Sequence, residues 1–198
     1  MTFQGLKISD NIIVSQRKDW EEVKWFYEVE NFYNVSDEKG KLILYVIETG
    51  GHETRRAWKS HPLRPFVFQI DDAETKEHLY TIKAPLRVFW FAIEVLKPDG
   101  SIVGSVERKL SWRGRYFKVN GVMRGFIKGF WLTWKYKLFL NTENQGEMKK
   151  RWNGFFKVLF SMSEFKISFK PTTTQENRLF LLSCAFLPEM LYHDRNQK

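Results

Sequence analysis

The segment RLFLLSCAFLPEMLYHD, residues 178–194, is the most apolar stretch of the chain, and its role decides the fold. It could cross a membrane, pack inside a folded domain or bind a partner. A membrane-spanning helix needs about 20 mostly apolar residues. The uncharged run here begins at Leu179 and ends at Pro188, between Arg178 and Glu189, which is too short. We therefore expect the segment to lie inside a folded domain.

The same segment has the pattern of a buried helix, which we predict over about residues 175–192. Thr173 and Glu176 have the spacing of a capping box, in which the two side chains each accept a hydrogen bond from an unpaired backbone N–H group. One face of the helix carries four large apolar side chains, those of Leu179, Leu182, Phe186 and Met190. Apolar residues also fill much of the remaining surface, and a helix that is apolar on all sides is surrounded by protein.

The composition indicates a folded protein with a large core. Apolar residues make up 43% of the 198 residues and aromatic residues 17%, which is too rich for a disordered chain. We expect residues 1–22 to form an N-terminal arm and residues 23–198 a single domain. The start of the chain lacks the pattern of a signal peptide, and the one cysteine, Cys184, falls in the apolar segment. Both observations suit a reducing intracellular compartment.

Most of the remaining chain has the composition of β-strands. Ten segments are rich in β-branched or aromatic residues and often alternate apolar with polar positions: residues 25–31, 41–49, 65–71, 78–83, 90–96, 101–110, 116–119, 130–140, 155–160 and 165–170. Turn-forming sequences such as SDEKG, DDAE, KPDG and NTENQG separate them. Ten or more short antiparallel strands without a second strong helix predict a mainly β fold, a closed barrel wrapped around the apolar helix.

Five segments, in their order along the chain, resemble the phospholipid scramblase family. They are RPFVFQIDD at 64–72, IEVLKPDGSIVGSVERKLSW at 93–112, GEMKKRWNGFF at 146–156, SEFKISFKP at 163–171 and the terminal apolar helix. The resemblance covers residues 25–194 and extends to the tubby C-terminal domain and to LURP-one-related proteins. It implies a closed antiparallel barrel of about twelve strands around a buried C-terminal helix. It also implies phospholipid binding and movement of phospholipid between leaflets.

The sequence departs from that family at the segment that the family is proposed to use for calcium. Here the segment reads SMSEFKISFKPTTT, in which Glu164 is the only carboxylate. Calcium requires six or more oxygen ligands, several of them carboxylate. We therefore expect no bound metal and no other cofactor.

Positive charge is concentrated in one part of the chain. The net charge is +9 (32 basic minus 23 acidic residues), and residues 108–142 contain nine basic residues and no acidic one. Aromatic residues are interleaved with these cations, and we predict Trp112, Phe130 and Trp131 as membrane-interface residues. A second interpretation is that the aromatic residues face the core while Lys135 and Lys137 are ordinary solvated side chains.

Three groups of basic residues form the predicted lipid or phosphate site: Arg55, Arg56 and Lys59; Arg108, Lys109, Arg113, Arg115, Arg124 and Lys128; and Lys149, Lys150 and Arg151. The first group follows the sequence TGG in a predicted loop, where arginine could bind phosphate through two parallel hydrogen bonds. The same group could also be a solvated hairpin tip.

Catalytic signatures are weak, so we predict a protein that is not an enzyme. The four histidines do not have the spacing of zinc ligands, and Cys184 in an apolar helix should be an inert thiol with a high pKa. The adjacent Asp71 and Asp72 fall in a predicted turn, where aspartate side chains bond to their own backbone.

Two functions of different classes remain. The first is a cytoplasmic phospholipid-binding protein that associates peripherally with anionic membranes and promotes transbilayer phospholipid movement. The second is a nucleic-acid-binding or transcription-regulatory protein that uses the same basic surface. A flat basic patch fringed by exposed tryptophan would favour the membrane, and a groove with stacked aromatic residues would favour single-stranded nucleic acid.

Overall fold

The computed structural model describes residues 6–17, 32–50, 65–85, 92–109, 111, 114–121, 124–129, 135–150 and 164–192. Within these ranges the chain forms twelve strands and one helix. The elements are β1 (Asn11–Arg17), β2 (Phe32–Asp37), β3 (Leu42–Gly50), β4 (Phe66–Asp72), β5 (His78–Ala84), β6 (Ala92–Leu96), β7 (Ile102–Lys109), β8 (Arg115–Gly121), β9 (Gly125–Gly129), β10 (Lys135–Leu140), β11 (Glu143–Lys150), β12 (Glu164–Phe169) and α1 (Gln175–Tyr192).

The strands form one closed antiparallel barrel, as predicted. Each strand pairs with its neighbours in the chain, and β1 pairs with both β2 and β12 to close the sheet. Val14 of β1 lies opposite Val35 on one side and Phe165 on the other. Closure leaves no unpaired strand edge. The barrel has a turn end, where short turns join the strands and α1 begins, and a far end, where α1 ends.

Alternation along each strand separates the core from the surface. On β12, Phe165, Ile167 and Phe169 are buried and face the interior, whereas Lys166 between them faces outward. Successive side chains of a strand point to opposite faces of the sheet, so the other strands follow the same rule. The interior is therefore a continuous apolar core.

Helix α1 lies in this core. Leu179, Leu182 and Phe186 are fully buried, and Met190 is 6% exposed. The Phe186 ring contacts Tyr33, Phe68 and Phe165, which belong to three different strands. This confirms the predicted central helix. In the described part of the chain, no helix has the length and apolar character needed to cross a membrane.

A glycine lets α1 approach the wall closely at β7. A Cβ atom added to Gly104 would lie 2.8 Å from Cζ of Phe180 and 2.7 Å from the carbonyl oxygen of Asn120. Both distances are shorter than real Cβ contacts. The absence of a side chain at Gly104 therefore makes room for the Phe180 ring.

The predicted capping box is wrong by one residue. The hydroxyl of Thr174, not that of Thr173, accepts the hydrogen bond from the backbone N–H of Asn177, at 3.3 Å. The Thr173 hydroxyl is instead within 3.0 Å of both the backbone oxygen and the side-chain oxygen of Gln145 on β11. The Thr173 hydroxyl therefore bonds to β11 and, contrary to the prediction from the sequence pattern, does not cap the helix.

The stretch predicted as an N-terminal arm contributes to the barrel. Its residues 11–17 form β1, which closes the sheet. Before β1, the backbone oxygen of Ile8 and the carboxylate of Asp10 accept hydrogen bonds from the guanidinium group of Arg178 at the start of α1. The described part of this stretch is therefore structural.

Several predicted strands need correction. The strand β11 begins at Glu143, inside the sequence NTENQG that we expected to be a turn, and only residues 141–142 turn. We did not predict β1, β2 or β9. Strand β9 contains two glycines, because a Cβ on Gly125 would collide with the carbonyl oxygen of Phe139 and a Cβ on Gly129 would lie 2.7 Å from the Tyr136 ring. The predicted strands at 25–31 and 155–160 lie outside the described residues.

Candidate anion-binding surface

The outer wall of β8–β11 carries a cluster of exposed basic side chains. Phe117, Ile127 and Tyr136 are buried and fix the inward positions of β8, β9 and β10, so the alternating lysines point outward. Six exposed cations result, which we call the basic face: Lys118, Arg124, Lys128, Lys135, Lys137 and Lys149. Two carboxylates, Glu143 and Glu147, lie on the same four strands.

Three half-buried aromatic rings lie in the middle of the basic face. Phe126 of β9 stacks against Tyr116 of β8, with ring centroids 5.6 Å apart, and against Phe139 of β10, with centroids 4.4 Å apart. The Lys128 ammonium group lies 5.8 Å from the Phe126 centroid and 5.5 Å from the Phe139 centroid. Cation–π attraction holds this lysine over the rings.

Glu147 neutralises one side of the basic face. Its carboxylate oxygens lie 2.7 Å from Nζ of Lys135 and 2.5 Å from Nζ of Lys149. Lys135 and Lys149 are directly opposite each other across the β10–β11 pair, so Glu147 bridges two like charges. Hydrogen bonds from Lys135 and Lys149 hold the pKa of the Glu147 carboxyl below its usual value, and the carboxylate stays ionised at neutral pH.

Glu107 has a similar role on the other side. It lies on β7, opposite Lys118 of β8, and accepts hydrogen bonds from Lys109 at 2.9 Å and from Asn120 at 3.2 Å. The bond from Lys109 is the main cause that lowers the pKa of the Glu107 carboxyl. Lys109, a predicted site residue, is therefore already paired with a carboxylate.

The three central lysines differ from those at the sides. In the portion of the chain described by the structure, Lys118, Lys128 and Lys137 form no ion pair. Lys128 is directly opposite Lys137 across the β9–β10 pair. Like charges in directly opposite positions destabilise a sheet. Glu107 and Glu147 lie directly opposite Lys118 and Lys137 on the neighbouring strands but form their ion pairs with other lysines, so the positive charge at the centre of the basic face is only partly compensated.

Three other predicted site residues occupy inward positions near the far end of the barrel. Arg115 donates a hydrogen bond of 2.9 Å to the hydroxyl of Tyr136, which is fully buried. Arg108 shares the inward alternation of Val106 and lies opposite the buried Phe117. Burial lowers the pKa of Lys150, and the nearby carboxylate of Glu189 opposes that shift.

These inward cations lie where α1 ends. The last turn of α1 has no basic residue of its own. The C-terminal end of a helix carries partial negative charge, and the buried carboxylate of Glu189 adds to it. The inward cations can offset both negative charges. Arg108, Arg115 and Lys150 therefore do not join the basic face.

Of the predicted site residues, Arg124, Lys128 and Lys149 are exposed and belong to the basic face. The remaining predicted site residues lie outside the described residues: Arg55, Arg56, Lys59, Arg113, Arg151, Trp112, Phe130 and Trp131. Lys118, Lys135, Lys137 and the three stacked rings were not selected from the sequence. The structure confirms one part of the second interpretation, in which Tyr136 faces the core while Lys135 and Lys137 on either side of it point outward.

The described residues do not fit a calcium site at β12. Glu164 points outward beside Lys166, whose ammonium group pairs with Glu38 at 2.6 Å. Among the residues that the structure describes, no three His, Cys, Asp or Glu side chains are grouped as metal ligands. That the protein binds no metal or other cofactor remains a prediction.

Two groups considered as catalytic candidates have structural roles. Asp72 accepts hydrogen bonds from the backbone N–H groups of Glu74 and Thr75, which confirms the predicted turn. Asp71 contacts His78 at 2.9 Å. Cys184 is fully buried, and burial raises the pKa of its thiol, as expected from the sequence. That the protein is not an enzyme remains a prediction.

A barrel closed around its own helix is the architecture that the sequence resemblance implied. The family model for scramblases matches residues 2–195, and the chain belongs to the scramblase family. It is 24% identical over 208 residues to phospholipid scramblase 4 of Mus musculus and 22% identical over 207 residues to phospholipid scramblase 4 of Homo sapiens. The alignments cover 94% of this chain and 62% of each relative. No solved structure matches the chain significantly.

Proposed function

We propose that this protein docks on anionic phospholipid membranes through its basic face and promotes phospholipid movement between leaflets. The observation that carries the proposal is the centre of that face, where Lys118, Lys128 and Lys137 form no ion pair with any described carboxylate and surround stacked aromatic rings. Near an anionic leaflet each basic residue contributes about 1 kcal/mol of attraction. Several cations on one wall act in the same direction.

The geometry of the rings favours a membrane over single-stranded nucleic acid. Phe126 has Tyr116 on one side and Phe139 on the other, at interplanar angles of 25° and 22°. Its faces are therefore covered by neighbouring rings, whereas proteins that bind single strands stack bases on free aromatic faces. The wall is also convex because the sheet is closed. Nucleic-acid binding remains as an outcome of the experiment below.

Lipid movement is the second part of the proposal. It is supported by family membership and by the name of the two relatives, which the chain spans over 62% of their length. A headgroup must cross about 30 Å of hydrocarbon. Since α1 fills the barrel, we propose that the docked protein distorts the bilayer locally rather than conducting lipid through its interior.

Vesicle co-sedimentation tests the docking step. We expect binding to vesicles that contain phosphatidylserine, little binding to phosphatidylcholine vesicles, weaker binding at high salt and no dependence on calcium. The variant Lys118→Gln/Lys128→Gln/Lys137→Gln should lose most of this binding. Absence of binding by the unmodified protein, or tight binding to single-stranded DNA that displaces vesicles, would overturn the proposal.

A matched control is available on the opposite side of the barrel. Lys39, Lys41 and Lys83 are also exposed, and they lie on or beside β2, β3 and β5. Replacing these three by Gln changes the net charge by the same amount. The control variant should keep most of the binding, so an equal loss in both variants would show that net charge, and not the basic face, determines docking.

A fluorescent lipid-flip assay tests the second part. Reconstituted protein should accelerate lipid exchange between leaflets, and the triple variant of the basic face should not. Docking without acceleration would remove lipid movement from the proposal and leave membrane binding.

A further inference from the structure

Two pairs of directly opposite lysines lie side by side on the basic face. In the first pair, Lys135 and Lys149, the carboxylate of Glu147 lies within 2.7 Å of both ammonium groups. Among the described residues, no carboxylate lies at ion-pair distance from the second pair, Lys128 and Lys137, although Glu147 is directly opposite Lys137 across the β10–β11 pair. The same arrangement of two lysines therefore occurs once with a carboxylate that bridges both ammonium groups and once without such a bridge.

The second pair has only partial compensation. The Lys128 ammonium group lies over the rings of Phe126 and Phe139, which attract a cation but do not neutralise it. Lys118 is directly opposite Phe126 and adds a third positive charge on the next strand. An external anion bound there would remove the repulsion between Lys128 and Lys137.

We propose that Lys128 and Lys137 form a binding site for the phosphate group of an anionic phospholipid headgroup. The phosphate takes the position between two lysines that the Glu147 carboxylate takes in the neighbouring pair. Both groups offer oxygen acceptors with negative charge to ammonium donors. The adjacent aromatic rings provide an apolar surface beside the headgroup, which favours a lipid over free phosphate. The inference rests on the proposed docking function and assigns its specific contact.

Two double variants with the same charge change separate this site from diffuse attraction. Lys128→Met/Lys137→Met removes the open pair, and Lys135→Met/Lys149→Met removes the bridged pair. With about 1 kcal/mol for each lysine, the first should weaken binding to phosphatidylserine vesicles about thirtyfold. The second should weaken it by no more than about threefold, because Glu147 already engages both of its lysines. Circular dichroism checks that both variants are folded.

Equal losses in the two variants would overturn the phosphate site while leaving docking by the basic face in place. Failure of the unmodified protein to bind vesicles would instead overturn the docking function. The two failures are therefore distinguishable.

Replacing Glu147 gives the converse test. In Glu147→Gln the bridged pair loses its internal anion and becomes a second open pair, so binding should tighten about fivefold. Glu143→Gln is the matched control, because Glu143 is exposed on the same strand without an ion pair to the basic face. An equal change in the two variants would contradict the assigned role of the lysine pairs.

Competition between salts tests for phosphate chemistry. Inorganic phosphate should release the protein from vesicles more effectively than chloride at the same ionic strength, and Lys128→Met/Lys137→Met should abolish this difference. Equal effects of the two salts on the unmodified protein would overturn a phosphate-specific site.

Discussion

Arg178 is the residue that joins α1 to the start of the barrel. Its guanidinium group is 6% exposed and donates hydrogen bonds to the backbone oxygens of Thr173 and Ile8, at 2.9 and 2.6 Å, and to the carboxylate of Asp10 at 2.5 Å. A buried cation requires such partners, because burial of an unpaired charge is costly.

Replacing Arg178 by Met should lower the free energy of unfolding by about 3 kcal/mol, since the backbone oxygens lose their donors while remaining buried. Urea denaturation measures the change. Asp10→Asn is the control and should cost less than Arg178→Met, because the Asn side-chain oxygen can still accept the guanidinium hydrogen bond and both backbone oxygens keep their donor. Comparable losses in both variants would show that the ion pair, and not the backbone contacts, stabilises the helix start.

We expect the buried hydroxyl of Tyr80 to make the protein less stable at alkaline pH. Burial, followed by the charges of Glu176 and Cys184, raises the pKa of the Tyr80 hydroxyl to about 12. Since the hydroxyl ionises near pH 10 in the unfolded chain, its contribution is fully present below pH 10. It is then lost as the pH rises towards 12.

In a Cys184→Ala background, Tyr80→Phe should therefore flatten the decrease in unfolding free energy between pH 10 and about 12. The background is needed because burial also raises the pKa of the Cys184 thiol, which acts in the same direction. Thermal denaturation at several pH values measures the effect. An unchanged slope would show that Tyr80 does not titrate differently in the folded state.

At the scale of elements, α1 packs tightly against the wall at β7, where the Phe180 ring occupies the space beside Gly104. Gly104→Val should place methyl groups against Phe180 and the Asn120 carbonyl, and overpacking of this kind costs about 3 kcal/mol. Ser105→Val on the outward side of the same strand should change stability within about 0.5 kcal/mol. Denaturation midpoints of the two variants compare them, and similar losses would show that strand propensity, and not space for α1, determines residue 104.

The sequence predicted the barrel and its helix because both have strong local signals. In β4 and β12 apolar and polar residues alternate, which indicates one buried face and one exposed face. In α1 the continuous apolar run indicates a helix that is buried on all sides. β9 and β11 contain glycines and polar residues, and they are strands because their neighbours pair with them. Such pairing is a tertiary effect that a local pattern does not contain.

The candidate site was predicted less completely for a related reason. The concentration of cations in residues 108–142 was visible, but the face of the sheet on which each cation lies depends on the phase of each strand. Arg115 and Lys128 are both cations in this basic stretch, and the sequence alone does not show on which face of the sheet each one lies. The first points towards buried Tyr136 and the second outward over Phe126.

For the whole molecule, α1 occupies the interior of the barrel and forms the centre of its core. Without it the inward rings of Tyr33, Phe68 and Phe165 would lose their contacts with Phe186. A chain that ends at Thr174 should therefore show no cooperative thermal transition in calorimetry and should bind hydrophobic dyes. A cooperative transition in that chain would show that the twelve strands are stable as an empty wall.

The order of these elements has a consequence for how the protein is made. A ribosome releases β1 first, but β1 can complete its pairing only when β12 has emerged, and the core remains hollow until α1 follows. Pairing between distant parts of a chain slows folding and exposes apolar surface in the meantime. The nascent chain must therefore keep many aromatic side chains in water until α1 has been synthesised, and during that time aggregation competes with folding.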